Sequence, residues 1–169
     1  HATIRRQRQM CIRDRCYPNS HKDLCTYRFN QETLSSFRQT HKWIRTKAKS
    51  LKGVTKTGRT HLMDAMPIDF SDELLAWSSQ LSACRNMLEV IEERFLELPQ
   101  GGTAVGSGIN AHKQFAKFFA QEMSKILETK RKYIPSNNFF HELSAQDCSV
   151  QLSGELKNLA VILMKISND

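Results

Sequence analysis

Four residues close together in the chain carry side chains suited to holding a carboxylate and moving a proton. They are Lys56, Arg59, Thr60 and His61, within the segment Lys56-Thr57-Gly58-Arg59-Thr60-His61. Cations and a hydroxyl can hold an anionic group. An imidazole beside them titrates near neutral pH and suits proton exchange with water. Residue type alone leaves this open, because a single histidine in a polar segment is more often just a solvated side chain. A second segment, Gln100-Gly101-Gly102-Thr103-Ala104-Val105-Gly106-Ser107-Gly108-Ile109-Asn110, holds four of the seven glycines. Its backbone N–H groups could meet an anion near the start of the following helix. The plainer alternative is an interhelical loop that needs positive φ. The segment lacks the phosphate-cradling G-x-x-x-x-G-K-[ST] pattern and lies between two predicted helices, not after a strand, which argues against nucleotide-binding loops.

Other candidates are weaker. His41, His112 and His141 have no partner at metal-ligand spacing, and the five cysteines (Cys11, Cys16, Cys25, Cys84, Cys148) contain no C-x-x-C pair. That pattern is neither a zinc site nor a disulfide framework, and it fits a reducing, cytoplasmic setting. No pair of carboxylates sits at helix spacing as an acid/base dyad. Lys130-Arg131-Lys132 reads as a solvated helix end, where cations suit the dipole.

The elements that must position the first two segments are helices. Seven Gly and four Pro in 169 residues are too few for the turns of a β-sandwich. From Gln31 to Leu51 an amphipathic stripe of Leu34, Phe37, Trp43, Ile44, Ala48 and Leu51 predicts a helix that Gly53 breaks. Residues 56–61 then read as a short polar connection. Pro67 marks the entry to the next element, and Asp69 is a candidate N-cap, with Asp72 and Glu73 in the favourable first turn. Phe70, Leu74, Trp77, Leu81, Cys84, Leu88, Ile91, Phe95 and Leu98 follow at alternating spacings of four and three. This unbroken heptad pattern predicts one helix of about 28 residues, roughly 40 Å long, ended by Pro99. A third helix is predicted from about Ala111 to Lys130, with Phe115, Phe118, Phe119, Met123, Ile126 and Leu127 inward. A fourth runs from about Leu143 to the last residues on Ala145, Leu152, Leu156, Leu159, Leu163 and Ile166. The expected class is all-α, a bundle of long helices packed near-antiparallel, with Trp43 and Trp77 in its core. Strict heptads on so long a helix also suggest self-association.

Charge is unevenly spread. The chain carries +8 overall, but residues 1–52 hold 13 Lys/Arg against 3 Asp/Glu, and residues 53–169 hold 12 against 14. The mildly acidic balance of the larger part speaks against nucleic acid as the partner. No apolar run has the roughly 18 residues of a membrane span, and no secretion signal opens the chain. Met10-Cys11-Ile12-Arg13-Asp14-Arg15 is the translation of a common transposase sequencing adapter. Residues 1–15 are therefore expected to be adapter-derived or non-native, and residues 16–169 to be part of a central helical-bundle domain.

Three motifs, in order, carry a resemblance. Lys56-Thr57-Gly58-Arg59-Thr60-His61-Leu62-Met63-Asp64-Ala65-Met66-Pro67 resembles the K-x-G-R-T-H-x-x-D-A-x-P segment of class II fumarases, in the fumarase/aspartase superfamily. Gln100 to Asn110 is similar to the family's Q-G-G-T-A-V-G-T-G-L-N loop. Leu163-Met164-Lys165-Ile166-Ser167-Asn168-Asp169 resembles its L-M-K-I-A-N-D segment. The resemblance covers about residues 31–169. His61 favours a fumarase, since aspartases have R-T-Q where this chain has R-T-H. The chain departs from the family's L-G-Q-E after the Pro, reading Asp69-Phe70-Ser71-Asp72-Glu73, where the position usually held by Gln is acidic.

The resemblance implies reversible hydration of fumarate to (S)-malate, a step of the tricarboxylic acid cycle, through a carbanion-like intermediate and without metal or organic cofactor. It implies that Thr60 binds a substrate carboxylate and that His61 positions or activates water. It further implies a cytoplasmic homotetramer whose central helices come five from each subunit and whose sites collect residues from three. The family's serine-bearing G-S-S-x-M-P-x-K-x-N loop would lie beyond Asp169, so the 169-residue chain alone is expected to be inactive. The alternatives are another lyase of the superfamily, such as aspartate ammonia-lyase, and a non-catalytic helical binding module.

Overall fold

The computed structural model describes residues 35–127 and 132–169. The expectations for residues 1–15, for the helix start from Gln31 to Leu34, for Cys11, Cys16 and Cys25, and for Lys130 and Arg131 fall outside them. Among the described residues the chain is mainly helical, in keeping with the all-α class, with two small two-stranded sheets. These residues form two compact units, one of residues 35–89 and 153–169, the other of residues 90–127 and 132–152.

In the first unit, helix α1 covers residues 35–50. Phe37, Ile44 and Ala48 fall on one helical face and are buried, while the remaining positions are largely Lys, Arg, Ser and Thr. Trp43 is 67% exposed. Its place in the stripe was one residue off the buried face, so the expectation of a core tryptophan is corrected. The helix stops where Gly53 takes φ +84°, a left-handed conformation that costs glycine nothing.

Residues 55–69 correct the expectation of a polar connection. They form an antiparallel hairpin of β1 (Thr55–Thr60) and β2 (Met63–Asp69). Pro67 lies inside β2, opposite Thr57, and not at the entry to a helix. The register jumps between Thr57 and Arg59. Gly58 sits at that irregularity, where an added Cβ would come within 2.8 Å of the Met66 carbonyl oxygen. The Phe70 N–H donates to the Val54 carbonyl at 2.9 Å, extending the ladder into the next helix.

Helix α2 runs Phe70–Arg94. The expected cap is present: Asp69 Oδ1 accepts the Ser71 N–H at 2.8 Å, and Asp72 and Glu73 fill the first turn. Leu74, Leu81, Cys84 and Leu88 of the heptad stripe are buried in this unit. Ser71 and Ser78 are buried beside them. Trp77 is half-buried, with the Lys165 ammonium 5.9 Å from its ring centroid. Lys165 belongs to helix α5 (Asp147–Asn168), whose Glu155 hydrogen-bonds the Cys84 thiol. The partner numbers fall as the α2 numbers rise, so the two helices run antiparallel within this unit.

In the second unit the heptad outlives its helix. The helix ends at Arg94, and residues 97–98 form strand β3 (Glu97–Leu98), paired in parallel with β4 (Ile134–Pro135). Phe95 and Leu98 are still buried, so spacing read as one more helical turn is satisfied by a tightened turn and an extended step. Helix α3 (Phe115–Ile126) is shorter than the expected 111–130. Its Ala120 packs with Leu98 and Tyr133, flanked by Phe119, Met123 and Leu127. Phe115, Phe118 and Ile126, expected inward, are exposed. The fourth predicted helix begins about four residues later than expected, and a short helix that was not predicted precedes it. Helix α4 (Phe139–Ser144) is capped by Asn138, whose Oδ1 accepts the His141 N–H at 3.2 Å, and α5 begins at Asp147. Cys148 and Leu152 pack with Ile91 and Phe95.

Candidate functional site

Thr60 and His61 stand at the tip of the β1–β2 hairpin. Thr60 pairs with Met63 as the last rung of the ladder, leaving His61 and Leu62 as a two-residue loop. Both loop residues are left-handed, with φ of 53° and 61°. Two positive-φ residues in succession are what a type I′ hairpin turn requires, and its twist matches that of the strands. The turn normally uses Asn-Gly, because a side chain with a Cβ resists this conformation by roughly 1–2 kcal/mol per residue. Here the loop holds an imidazole and an isobutyl group in its place. Both face solvent, Leu62 completely. The backbone at His61 is therefore fixed by the ladder behind it while its ring is open to a ligand.

The four residues of the sequence cluster do not stay together. Thr60 and His61 are neighbours at the tip. Arg59 is one step back, its Nε donating to Asp64 Oδ1 at 3.3 Å across the hairpin, and both side chains are exposed. Lys56 sits at the base, five residues from His61, which is roughly 16 Å along a strand. Its Nζ donates to Glu73 Oε2 at 2.5 Å and lies 5.1 Å from the Phe70 ring centroid. Lys56 is thus committed to α2 and is not beside the imidazole, which corrects the reading of one basic cluster around His61.

Residue typing overlooked the carboxylates that organise this hairpin. Asp64 partners Arg59, Glu73 partners Lys56, and Asp69 does more than cap a helix. Its Oδ2 accepts the Gly53 N–H at 2.8 Å while Oδ1 takes the Ser71 N–H. The Gly53 N–H, then the Ser71 N–H, holds the Asp69 carboxyl below its ordinary value. The signal available in the sequence was the spacing of Asp64 and Glu73 from Arg59 and Lys56, which becomes pairing only once the strand fold is known. The last motif reaches the same unit. Lys165 hydrogen-bonds Asp169 and lowers that carboxyl's pKa, with a further contribution from Lys56.

The glycine-rich segment lies in the other unit and is tightly folded. The Gly102 carbonyl accepts the N–H groups of Gly106 and Gly108 at 2.9 and 3.0 Å, and the Gly102 N–H donates to Pro99. Gly101, Gly106 and Gly108 have positive φ. A Cβ on Gly106 would lie 2.6 Å from the Phe140 nitrogen. The segment follows strand β3 and leads to α3, which corrects the expectation that it lies between two helices and not after a strand. Its positive-φ glycines match the tight-turn alternative, with three of the loop's N–H groups already used. Among the described residues no group of three or more His, Cys, Asp or Glu could hold a metal ion. No described helix is long and apolar enough to cross a membrane.

A family model described as lyase matches residues 17–169. The chain belongs to this lyase family. Among relatives of the lyase family, a class II fumarate hydratase of Pseudomonas aeruginosa is 42% identical over 140 residues, covering 83% of this chain and 30% of its own length. One from Xylella fastidiosa is 43% identical over 136 residues, 80% of this chain and 28% of the relative. One from Staphylococcus aureus is 44% identical over 126 residues, 75% of this chain and 27% of the relative. Among solved lyases, the class II fumarase of Schistosoma mansoni superposes with a TM-score of 0.77 at 28% identity, over 87% of this chain and 34% of that one. A fumarate lyase:delta crystallin protein from Brucella melitensis superposes with a TM-score of 0.79 at 30% identity, over 92% and 33%. The chain thus spans about 30% of the length of the curated relatives it matches.

Proposed function

We propose that this chain carries the Thr60–His61 element of a class II fumarate hydratase, which adds water reversibly to fumarate to give (S)-malate in the cytoplasm. What supports the reading is the adjacency of a hydroxyl and an imidazole on a backbone-fixed turn, in a chain about 42% identical to proteins named for that reaction. The Thr60 hydroxyl donates a hydrogen bond to one carboxylate of the dianion. The His61 ring accepts a proton from water as the water oxygen bonds to one alkene carbon. The π electron pair moves to the other carbon, where the adjacent carboxylate spreads the charge until a proton arrives. The residues use no metal or organic cofactor for these roles. The active assembly is a homotetramer, and residues 16–169 belong to its central helical domain.

The test is kinetic, on the longer gene product that carries these residues. His61→Gln keeps the polar surface and removes the base, and is expected to lower kcat by about 10² to 10⁴ with KM little changed. Thr60→Ala is expected to raise KM. The 169-residue chain alone is expected to leave fumarate absorbance constant. A His61→Gln enzyme as fast as the parent would remove the proposed role. Release of ammonia from aspartate would move the assignment to the ammonia-lyase branch.

A further inference from the structure

The hairpin that presents His61 is gripped at its base and free at its tip. Three contacts make the grip, all within one unit. The Asp69 carboxylate joins the residue that ends α1's exit turn to the first turn of α2, through the Gly53 and Ser71 N–H groups. The Lys56–Glu73 pair joins β1 to the same turn of α2, and it is half-buried, with side-chain exposures of 35% and 25%. The Phe70 N–H to Val54 carbonyl bond continues the ladder across the junction. Beyond these, Arg59, Thr60, His61, Leu62 and Met63 are all exposed.

Six residues of strand separate grip from tip, roughly 20 Å at 3.3 Å per residue. On a lever of that length a tilt of about 5° at the base displaces the tip by about 1.7 Å. A misplacement of about 1 Å at a reacting group can cost about a hundredfold in rate. The angle at which the hairpin leaves α2 therefore matters to chemistry at its tip far more than to the fold, whose buried faces lie on α1 and α2.

We propose that Asp69, assisted by the Lys56–Glu73 pair, is a positioning residue for His61: its carboxylate fixes the angle of the hairpin on α2 and so the place of the imidazole. This rests on the catalytic reading of His61 given above. Asp69 is suited to the task because its two oxygens take two N–H donors from segments 18 residues apart. Asp69→Asn has the same shape but turns an NH2 toward one of those donors, so one grip is lost. Asp69→Ala loses both.

The test is a double-substitution cycle in the longer gene product, with kcat read for the parent, H61Q, D69N and H61Q/D69N. Acting through His61, D69N is expected to lower kcat by about tenfold in the parent and by less than about threefold in the H61Q background. Lys56→Met is expected to behave in the same way, and D69A to lower the parent's kcat further. Equal losses in both backgrounds would mean a general structural role and would overturn the proposal. So would a parent-like kcat for D69N and K56M. If D69A does not fold, D69N and K56M carry the same two outcomes. If H61Q alone is as active as the parent, the reading of His61 fails first, and the positioning role goes with it.

Discussion

His141 Nε2 lies 2.7 Å from Asp147 Oδ2, so a side chain on the short helix α4 holds the first residue of α5 across the break at Ala145 and Gln146. Arg94, in the same unit, adds a cation 3.5 Å from the same oxygen and a 2.7 Å hydrogen bond to Gln151. The His141 hydrogen bond, more than any other contact, lowers the Asp147 pKa below its ordinary 3.8. A carboxyl lowered in the folded state binds its proton less readily there than in the unfolded chain. Its stabilisation is therefore present above the ordinary value and is lost as pH falls through the folded one. His141→Phe is expected to shift the acid-unfolding midpoint to higher pH. Circular dichroism between about pH 5 and pH 2 would record it, and an unmoved midpoint would show that the contact contributes nothing.

The His61–Leu62 turn holds two side chains in a conformation that glycine adopts freely. Leu62→Gly removes the steric penalty at the second turn position while adding some freedom to the unfolded chain. The expected net effect is stabilisation of about 0.5–1 kcal/mol. Leu62→Val, branched at Cβ, is expected to destabilise by a similar amount. Urea denaturation of the two variants reads both signs, and a more stable Leu62→Val protein would contradict the turn geometry.

This hairpin also marks where the sequence was hard to read. The cap at Asp69 was legible because it depends on residue type and local order. Strand β2 was not, since every residue from Met63 to Ile68 is exposed and no buried–exposed alternation exists there to reveal a strand. Nor does the turn carry the Asn-Gly pair that announces a hairpin. The heptad stripe from Leu74 to Ile91 was legible as burial, because a helix with one covered face leaves that periodicity. Its end was not, since Phe95 and Leu98 keep the spacing while the backbone extends to pair with Ile134 and Pro135. On α3, Phe115, Phe118 and Ile126 were assigned inward by apolarity alone, and in this chain they face out.

Two glycines give opposite expectations from the same substitution. Gly106 has φ +116°, and a Cβ there would lie 2.6 Å from the Phe140 nitrogen and 2.7 Å from its Cα, both backbone atoms that cannot step aside cheaply. Gly106→Ala is expected to cost on the order of 3 kcal/mol, combining backbone strain with the clash. Gly154 lies within α5 with nothing within 4 Å of an added Cβ. Gly154→Ala is expected to stabilise by about 0.5–1 kcal/mol through helix propensity. Thermal melting of the pair measures the difference, and a Gly106→Ala protein as stable as the parent would mean that the loop does not pack on α4 as described.

Cys84 offers a chemical test of the antiparallel contact between α2 and α5. Its side chain is 1% exposed. Burial, reinforced by the hydrogen bond and negative charge of Glu155, pushes the thiol up to about 12. Only the thiolate reacts with alkylating agents. At pH 8 the thiolate fraction is then lower by roughly a thousandfold than for an ordinary cysteine. Iodoacetamide followed by peptide mass mapping is expected to leave Cys84 unmodified in the folded chain and to label it in guanidinium. Glu155→Ala removes the acceptor and the charge but not the burial, so labelling is expected to quicken only modestly. Labelling of native Cys84 at the rate of a free thiol would mean that α5 does not cover this face of α2.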